Sequence, residues 1–158
     1  MPAPSDSLAG KHIWFYDGEC AVCDRGVRFL ADRDRRDVLR IAPLQSAFAR
    51  RELAARGVDL AELEAGARDG RAYRTFYLLA DYGTARERLL SRSRGAAYLL
   101  SHLGGGWGLL GRLARLIPAP LLDPVYRWVS RNRYRWFGKH DACQAPPPPP
   151  ALRARLIG

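Results

Sequence analysis

The sequence predicts an α/β domain followed by a C-terminal helical extension, on three observations. The short apolar run Ile13-Trp14-Phe15-Tyr16 is broken by Asp17-Gly18, and a segment of helical periodicity follows at once. Two later β-rich segments are joined by the turn Asp81-Tyr82-Gly83-Thr84. Finally, Gly104-Gly105-Gly106 divides this first part from two more segments of helical spacing.

Each element follows from local pattern. His12–Tyr16 is a central strand, because an unbroken apolar run bounded by turn residues suits burial on both faces. From Ala21 to about Asp32 the apolar spacing is helical, with Cys23, Val27 and Leu30 on one face and Gly26 and Phe29 beside it. Arg25, Arg28, Asp32 and Arg33 remain for solvent. Val38–Ala42 is a second strand, stopped by Pro43. Gln45–Arg56 is a second helix, with Ser46 as N-cap and Gly57 at C′. Asp59–Glu64 extends the helical layer, and Gly66–Gly70 is a loop. Tyr73–Leu79 is a third strand, and Arg86–Leu90 returns as its hairpin partner. Ala96–Leu103 begins a third helix. The order β-α-β-α-β-β-α, its first two strands made parallel by a right-handed crossover, is that of a thioredoxin-like core. Trp107–Ile117 and Leu121–Trp136 are further helices, punctuated by Pro118 and Pro120. The prolines at 146–150 favour an extended polyproline II arm, and residues 151–158 read as a frayed tail. The expected partition is therefore a core at 10–103, a helical extension at 104–145, and flexible tails at 1–9 and 146–158.

Composition bounds the function. The chain has 158 residues, 47% of them hydrophobic, which suits one domain with a real core that needs no disulfides to hold it. Three cysteines are too few, and an odd number, for a secreted disulfide framework. The N-terminal residues show neither a basic n-region nor an apolar h-region, and no apolar run approaches the roughly 18 residues that span a bilayer. A cytoplasmic location is the expectation. The net charge of +10 is unevenly placed. Residues 1–91 carry 15 basic and 14 acidic side chains, whereas residues 92–158 carry 11 basic and two acidic ones, Asp123 and Asp141.

The chemistry lies in Cys20 and Cys23. Disulfide exchange needs one thiolate to attack and a second thiol to resolve the mixed disulfide. Two intervening residues put both sulfurs in the first helical turn, within bonding reach. Cys20 falls at the exposed N-terminal edge, where free amides and the helix dipole favour negative charge. It is the candidate nucleophile, and Cys23, one turn inward, the resolving thiol. The carboxylates of Asp17, Glu19 and Asp24 oppose a thiolate there, and Arg25 offsets only part of that. Activation is expected to be modest, which disfavours a strong oxidant. The competing explanation is that both cysteines are small packed hydrophobes.

The run Tyr16-Asp17-Gly18-Glu19-Cys20-Ala21-Val22-Cys23 resembles the signature of the DCC family of thiol-disulfide oxidoreductases, named for an aspartate followed by two cysteines. The likeness continues in Val27, Leu44-Gln45-Ser46, Arg131-Asn132-Arg133-Tyr134 and Cys143, and it covers roughly residues 12–143. The resemblance implies a thioredoxin-like fold and redox activity. Two departures stand out. Many relatives carry an acidic residue after the serine that precedes the third helix, where this chain reads Ser93-Arg94-Gly95. A thioredoxin also places a cis-proline before its third strand to bind substrate backbone, whereas Arg74-Thr75 has none.

Asp17 either shuttles a proton for the cysteines or caps the turn, and an aspartate before glycine favours the cap. Leu44-Gln45-Ser46 reads as a helix-initiation segment, with the Gln45 amide an auxiliary candidate for the active-site groove. Cys143 is a third candidate thiol. Cys20, Cys23, His140 and Cys143 together form a chemically reasonable Cys₃His zinc set, at an atypical spacing. His12 and His102 read as structural. Gly104–Gly106 is a corner, since the Lys-Ser/Thr ending of a phosphate loop is absent. The segment Tyr126–Trp136 alternates aromatics with arginine. It suits either an anionic lipid surface or stacking on nucleic acid, but a helix packed on the core explains it more simply.

The expected function is thiol-disulfide exchange between the Cys20–Cys23 pair and a client protein or small thiol, with no organic cofactor. The alternatives are a zinc-binding structural protein and a basic membrane- or nucleic-acid-binding module. Nucleic acid is not the expected partner, since no recognised module accompanies the charge. Peripheral membrane contact through the basic C-terminal region stays open.

Overall fold

The computed structural model describes residues 6–16, 21–61, 63, 77–137 and 153–157. Four strands form one mixed sheet: β1 (His12–Tyr16), β2 (Leu39–Pro43), β3 (Tyr77–Ala80) and β4 (Arg88–Ser91). Their spatial order is β2-β1-β3-β4. β1 and β2 are parallel, in the register His12 to Leu39 and Tyr16 to Pro43. β3 is antiparallel to both β1 and β4. The helices are α1 (Ala21–Arg33), α2 (Ala47–Ala54), α3 (Arg92–Ser101), α4 (Gly105–Leu116) and α5 (Ala119–Phe137). The chain has a thioredoxin-like fold.

Alternation along β1 builds two cores. Trp14 faces one side, where it meets Val27 and Leu30 of α1, Ile41, Leu78, and Tyr98 and Leu99 of α3. Ile13 and Phe15 face the other, against Leu44, Leu53 of α2, Leu79 and Tyr82. Thus α1 and α3 cover one face of the sheet and α2 the other. A strand buried on both faces has no room for polar alternation, which is why His12–Tyr16 reads as a continuous apolar run.

Helix ends obey local chemistry. The Ser46 hydroxyl accepts the Ala49 amide at 3.1 Å, as an N-cap should. At the other end of α2 the Gly57 amide bonds the Ala54 carbonyl at 3.0 Å and the Val58 amide bonds the Leu53 carbonyl at 3.1 Å. This is a Schellman closure, and Gly57 takes the left-handed conformation it requires, at φ +79°. Arg56 then ties α2 to the hairpin loop, reaching Glu52 at 2.9 Å and Glu87 at 2.7 Å.

Several element ends shift by a few residues from the sequence reading, and three departures are informative. β2 runs on to Pro43 instead of stopping before it, because an edge strand tolerates a residue without an amide hydrogen. α3 starts at Arg92, four residues before the expected Ala96. Most consequentially, residues 153–157 are not frayed. The Ile41 amide bonds the Arg155 carbonyl at 3.0 Å, and the Ile157 amide bonds the Ile41 carbonyl at 2.8 Å. Leu156 pairs with Ile41 as a parallel bridge and packs into one core while Ile157 packs into the other. The tail thus adds a single β-bridge to the free edge of β2. Arg155 locks it there through an ion pair with Asp34, whose side chain is only 4% exposed. Asp34 also accepts the Val38 amide at 3.2 Å and the Leu39 amide at 2.8 Å.

α4 is seated on the C-terminal end of α3 by its glycines. A Cβ at Gly108 would collide with the Leu103 carbonyl oxygen, and one at Gly111 with the Ser101 amide nitrogen. α5 begins within the predicted Pro118–Pro120 corner and continues through Pro124. Asp123 of α5 accepts a hydrogen bond from the Ser93 hydroxyl at the start of α3.

Candidate functional site

β1 and β2 end at the same edge of the sheet. Tyr16 lies opposite Pro43, and the Tyr16 carbonyl accepts the Leu44 amide at 2.9 Å. From this edge β1 leads through residues 17–20 into α1, and β2 leads through 44–46 into α2. The two helices lie on opposite faces, so the connections diverge there. In open α/β sheets such a point, beyond the carboxyl ends of parallel strands, is where reacting groups and ligands gather.

Of the candidate residues, Cys23 and Gln45 lie in the elements that leave this edge. Asp17 and Cys20 lie outside the described residues, in the segment that joins Tyr16 to Ala21. Cys23 is the third residue of α1, so its backbone belongs to the first turn. The amides of such a turn have no intrahelical partner and carry the positive end of the helix dipole. α1 is held tightly just beyond it. A Cβ at Gly26 would come within 3.3 Å of the Trp14 ring, so glycine lets the helix lie close on β1. Val27 and Leu30 are buried in the next turn. Gln45 sits at the same sheet edge and is exposed, between the buried Leu44 and the capping Ser46. His140 and Cys143 lie outside the described residues, as does Arg74-Thr75. Among the described residues no cluster of three or more His, Cys, Asp or Glu side chains is placed to hold a metal ion.

A second polar cluster, not foreseen as a unit, stands at the other end of β1. His12 is buried, its Nδ1 accepts the Asp81 amide at 3.1 Å, and its ring meets those of Tyr98 and His102 at 5.4 and 4.5 Å. Tyr98 donates its hydroxyl to Asp81 at 3.0 Å. Because Nδ1 is an acceptor, the neutral ring carries its proton on Nε2. Burial, with the neighbouring His102, lowers the His12 pKa to about 4. Burial and the bond to Asp81 raise that of Tyr98. Four residues along a strand is roughly 13 Å, so this cluster stands apart from the edge at which β1 leads toward α1. It ties β1, the β3–β4 hairpin and α3 together. The structural role expected of His12 and His102 fits these contacts.

Residues 14–139 match the family model of the DCC1-like thiol-disulfide oxidoreductases, a span that includes Asp17, Cys20, Cys23 and Gln45 but not Cys143. The chain is 28% identical over 147 residues to an uncharacterized protein, YuxK, of Bacillus subtilis, covering 93% of this chain and 94% of that protein. It is 26% identical over 134 residues to the chloroplastic DCC family protein At1g52590 of Arabidopsis thaliana, covering 85% of this chain and 69% of that one. No solved structure matches the chain.

Proposed function

The chain belongs to the DCC1-like thiol-disulfide oxidoreductase family, and we propose that its own activity is dithiol-disulfide exchange through Cys20 and Cys23. The observation that supports this most directly is the start of α1 at Ala21, at the edge where β1 ends. That start makes Cys20 the residue before the helix and Cys23 a member of its first turn. The positive end of the helix then favours a thiolate at the outer cysteine.

In the reducing direction the Cys20 thiolate attacks one sulfur of a client disulfide. A mixed disulfide forms, and the client's other sulfur leaves as a thiolate that takes a proton from solvent. The Cys23 thiolate then attacks the Cys20 sulfur, expelling the second client thiolate and closing the Cys20–Cys23 disulfide. Two electrons pass from the pair to the client, and reversing both steps oxidises a client dithiol. Relative reduction potentials set the direction. The chemistry requires no organic cofactor. Asp17, one residue after β1, is assigned in this proposal to orient the turn or to shuttle a proton, and Gln45 borders the same edge from the α2 side.

Replacing the resolving thiol tests this reading. The Cys23→Ser protein, mixed with a disulfide-bearing client such as oxidised insulin, accumulates a mixed disulfide visible on non-reducing gels. Adding Cys20→Ser abolishes it, whereas adding Cys143→Ser leaves it. No adduct, or an adduct that depends on Cys143 instead of Cys20, contradicts the proposal.

A further inference from the structure

The helices α4 and α5 turn their apolar side chains outward. On α4, Leu109, Leu113 and Leu116 recur at four- and three-residue spacing, one helical stripe, and all are exposed. The side of α4 that meets the core is made by Gly108 and Gly111, whose lack of side chain brings backbone against backbone. Leu121, Val125 and Trp128 form a similar exposed stripe on α5. The most exposed of these mark the corner between the helices: Leu116 is 79% and Leu121 67% exposed, and Ile117 lies between them. A contiguous apolar patch of this kind marks a binding surface more often than an accident of packing.

The charge around the corner is predominantly positive. α4 contains no acidic residue, and Asp123 of α5 is engaged by Ser93. Arg112 borders the α4 stripe, and Arg127, Arg131 and Arg135 form an exposed row along α5. Directly behind the corner is a cavity of about 290 Å³, lined by Arg88, Arg94 and Arg115 together with Tyr98, Leu116 and Ile117. Arg88 and Arg115 stack on the Tyr98 ring at 5.5 and 5.0 Å. None of these three arginines forms an ion pair with a carboxylate among the described residues.

We propose that the α4–α5 corner docks this protein on an anionic phospholipid bilayer. Leu116, Ile117 and Leu121 enter the acyl boundary, and the Arg88–Arg94–Arg115 cavity receives lipid phosphate. The apolar stripes supply surface for insertion, and the arginines flanking them match a negative headgroup layer. No helix among the described residues is long and apolar enough to cross a membrane, so contact is confined to the surface. A second copy of the chain fits this face less well, because it would bring two arginine-rich, acid-poor surfaces together.

The test is flotation of the full chain with vesicles of phosphatidylcholine alone and with vesicles containing about one-third phosphatidylglycerol. The expected result is binding to the anionic vesicles that weakens with salt, with a blue shift of tryptophan emission from Trp107 and Trp128. Leu116→Ser with Ile117→Ser leaves every charge in place and is expected to weaken binding roughly tenfold or more. Arg94→Gln is expected to reduce the preference for anionic vesicles while retaining the emission shift. The proposal is overturned if the wild-type chain stays off anionic vesicles at low salt. It is equally overturned if the serine variant binds undiminished, which would assign the binding to net charge alone. Self-association lost in the serine variant, without vesicle binding, would give the face to a second copy.

Discussion

His12 shows how one side chain couples the fold to pH. Its folded pKa of about 4 lies below the ordinary 6.5, because burial disfavours the charged ring. The unfolded chain therefore takes up a proton at a higher pH than the native one. The stability this group contributes is complete above about pH 6.5, and it is lost progressively as pH falls toward about 4. The loss amounts to about 3 kcal/mol across that window. Urea denaturation at a series of pH values measures it, and His12→Phe is expected to flatten that segment of the curve. The variant should also be less stable at neutral pH, since the part-buried Asp81 amide loses its acceptor. Asp34 and Arg155 give a second prediction. Removing Arg155 leaves a buried carboxylate with only amide partners, so Arg155→Met is expected to cost about 3 kcal/mol. Hydrogen exchange at the Ile41 and Ile157 amides should accelerate in parallel. Neither residue stood out in the sequence, because their pairing spans 121 positions and nothing local announces it.

At the scale of elements, legibility followed burial and local chemistry. β1 was readable from four apolar residues in a row, and α2 from its serine cap and its closing glycine. The hairpin was readable from Asp81 and Gly83, which take positive φ in the turn. What escaped was set by neighbours. Pro43 belongs to β2 because the strand lies at a sheet edge, and the C-terminal residues gain strand character only by meeting Ile41. The glycines of α4 illustrate the same limit. Gly104–Gly106 looked like a flexible corner, and Gly105 does take φ +67° there. The constraint of greatest consequence falls instead on Gly108 and Gly111, which allow α4 to approach α3. Gly111→Ala is accordingly expected to destabilise the fold by about 3 kcal/mol through overpacking against the Ser101 backbone. Gly106→Ala meets open space and is expected to be neutral or stabilising by up to about 1 kcal/mol. Parallel urea titrations of the two variants make the comparison.

For the molecule as a whole, the sheet brings the ends of β1 and β2 to one edge, and the candidate cysteines follow β1 there. The candidate site was legible as a motif, since Cys20, Cys23 and Asp17 are close in sequence and follow the central strand. The role of its surroundings was not, because Gln45 reaches the same edge only through the parallel pairing of Tyr16 with Pro43. The cationic C-terminal half was visible as composition, yet its outward-facing leucines were hidden. A stripe at helical spacing looks the same in sequence whether it meets a core or solvent. The account rests on Cys20 and Cys23 forming a reversible disulfide. Equilibrating the protein in graded ratios of reduced to oxidised thiol, then counting alkylated cysteines by mass, measures this directly. The account predicts a single two-electron transition involving Cys20 and Cys23, with a potential between roughly −270 and −120 mV. Two thiols that remain reduced at every ratio, or a disulfide that always includes Cys143, would contradict it.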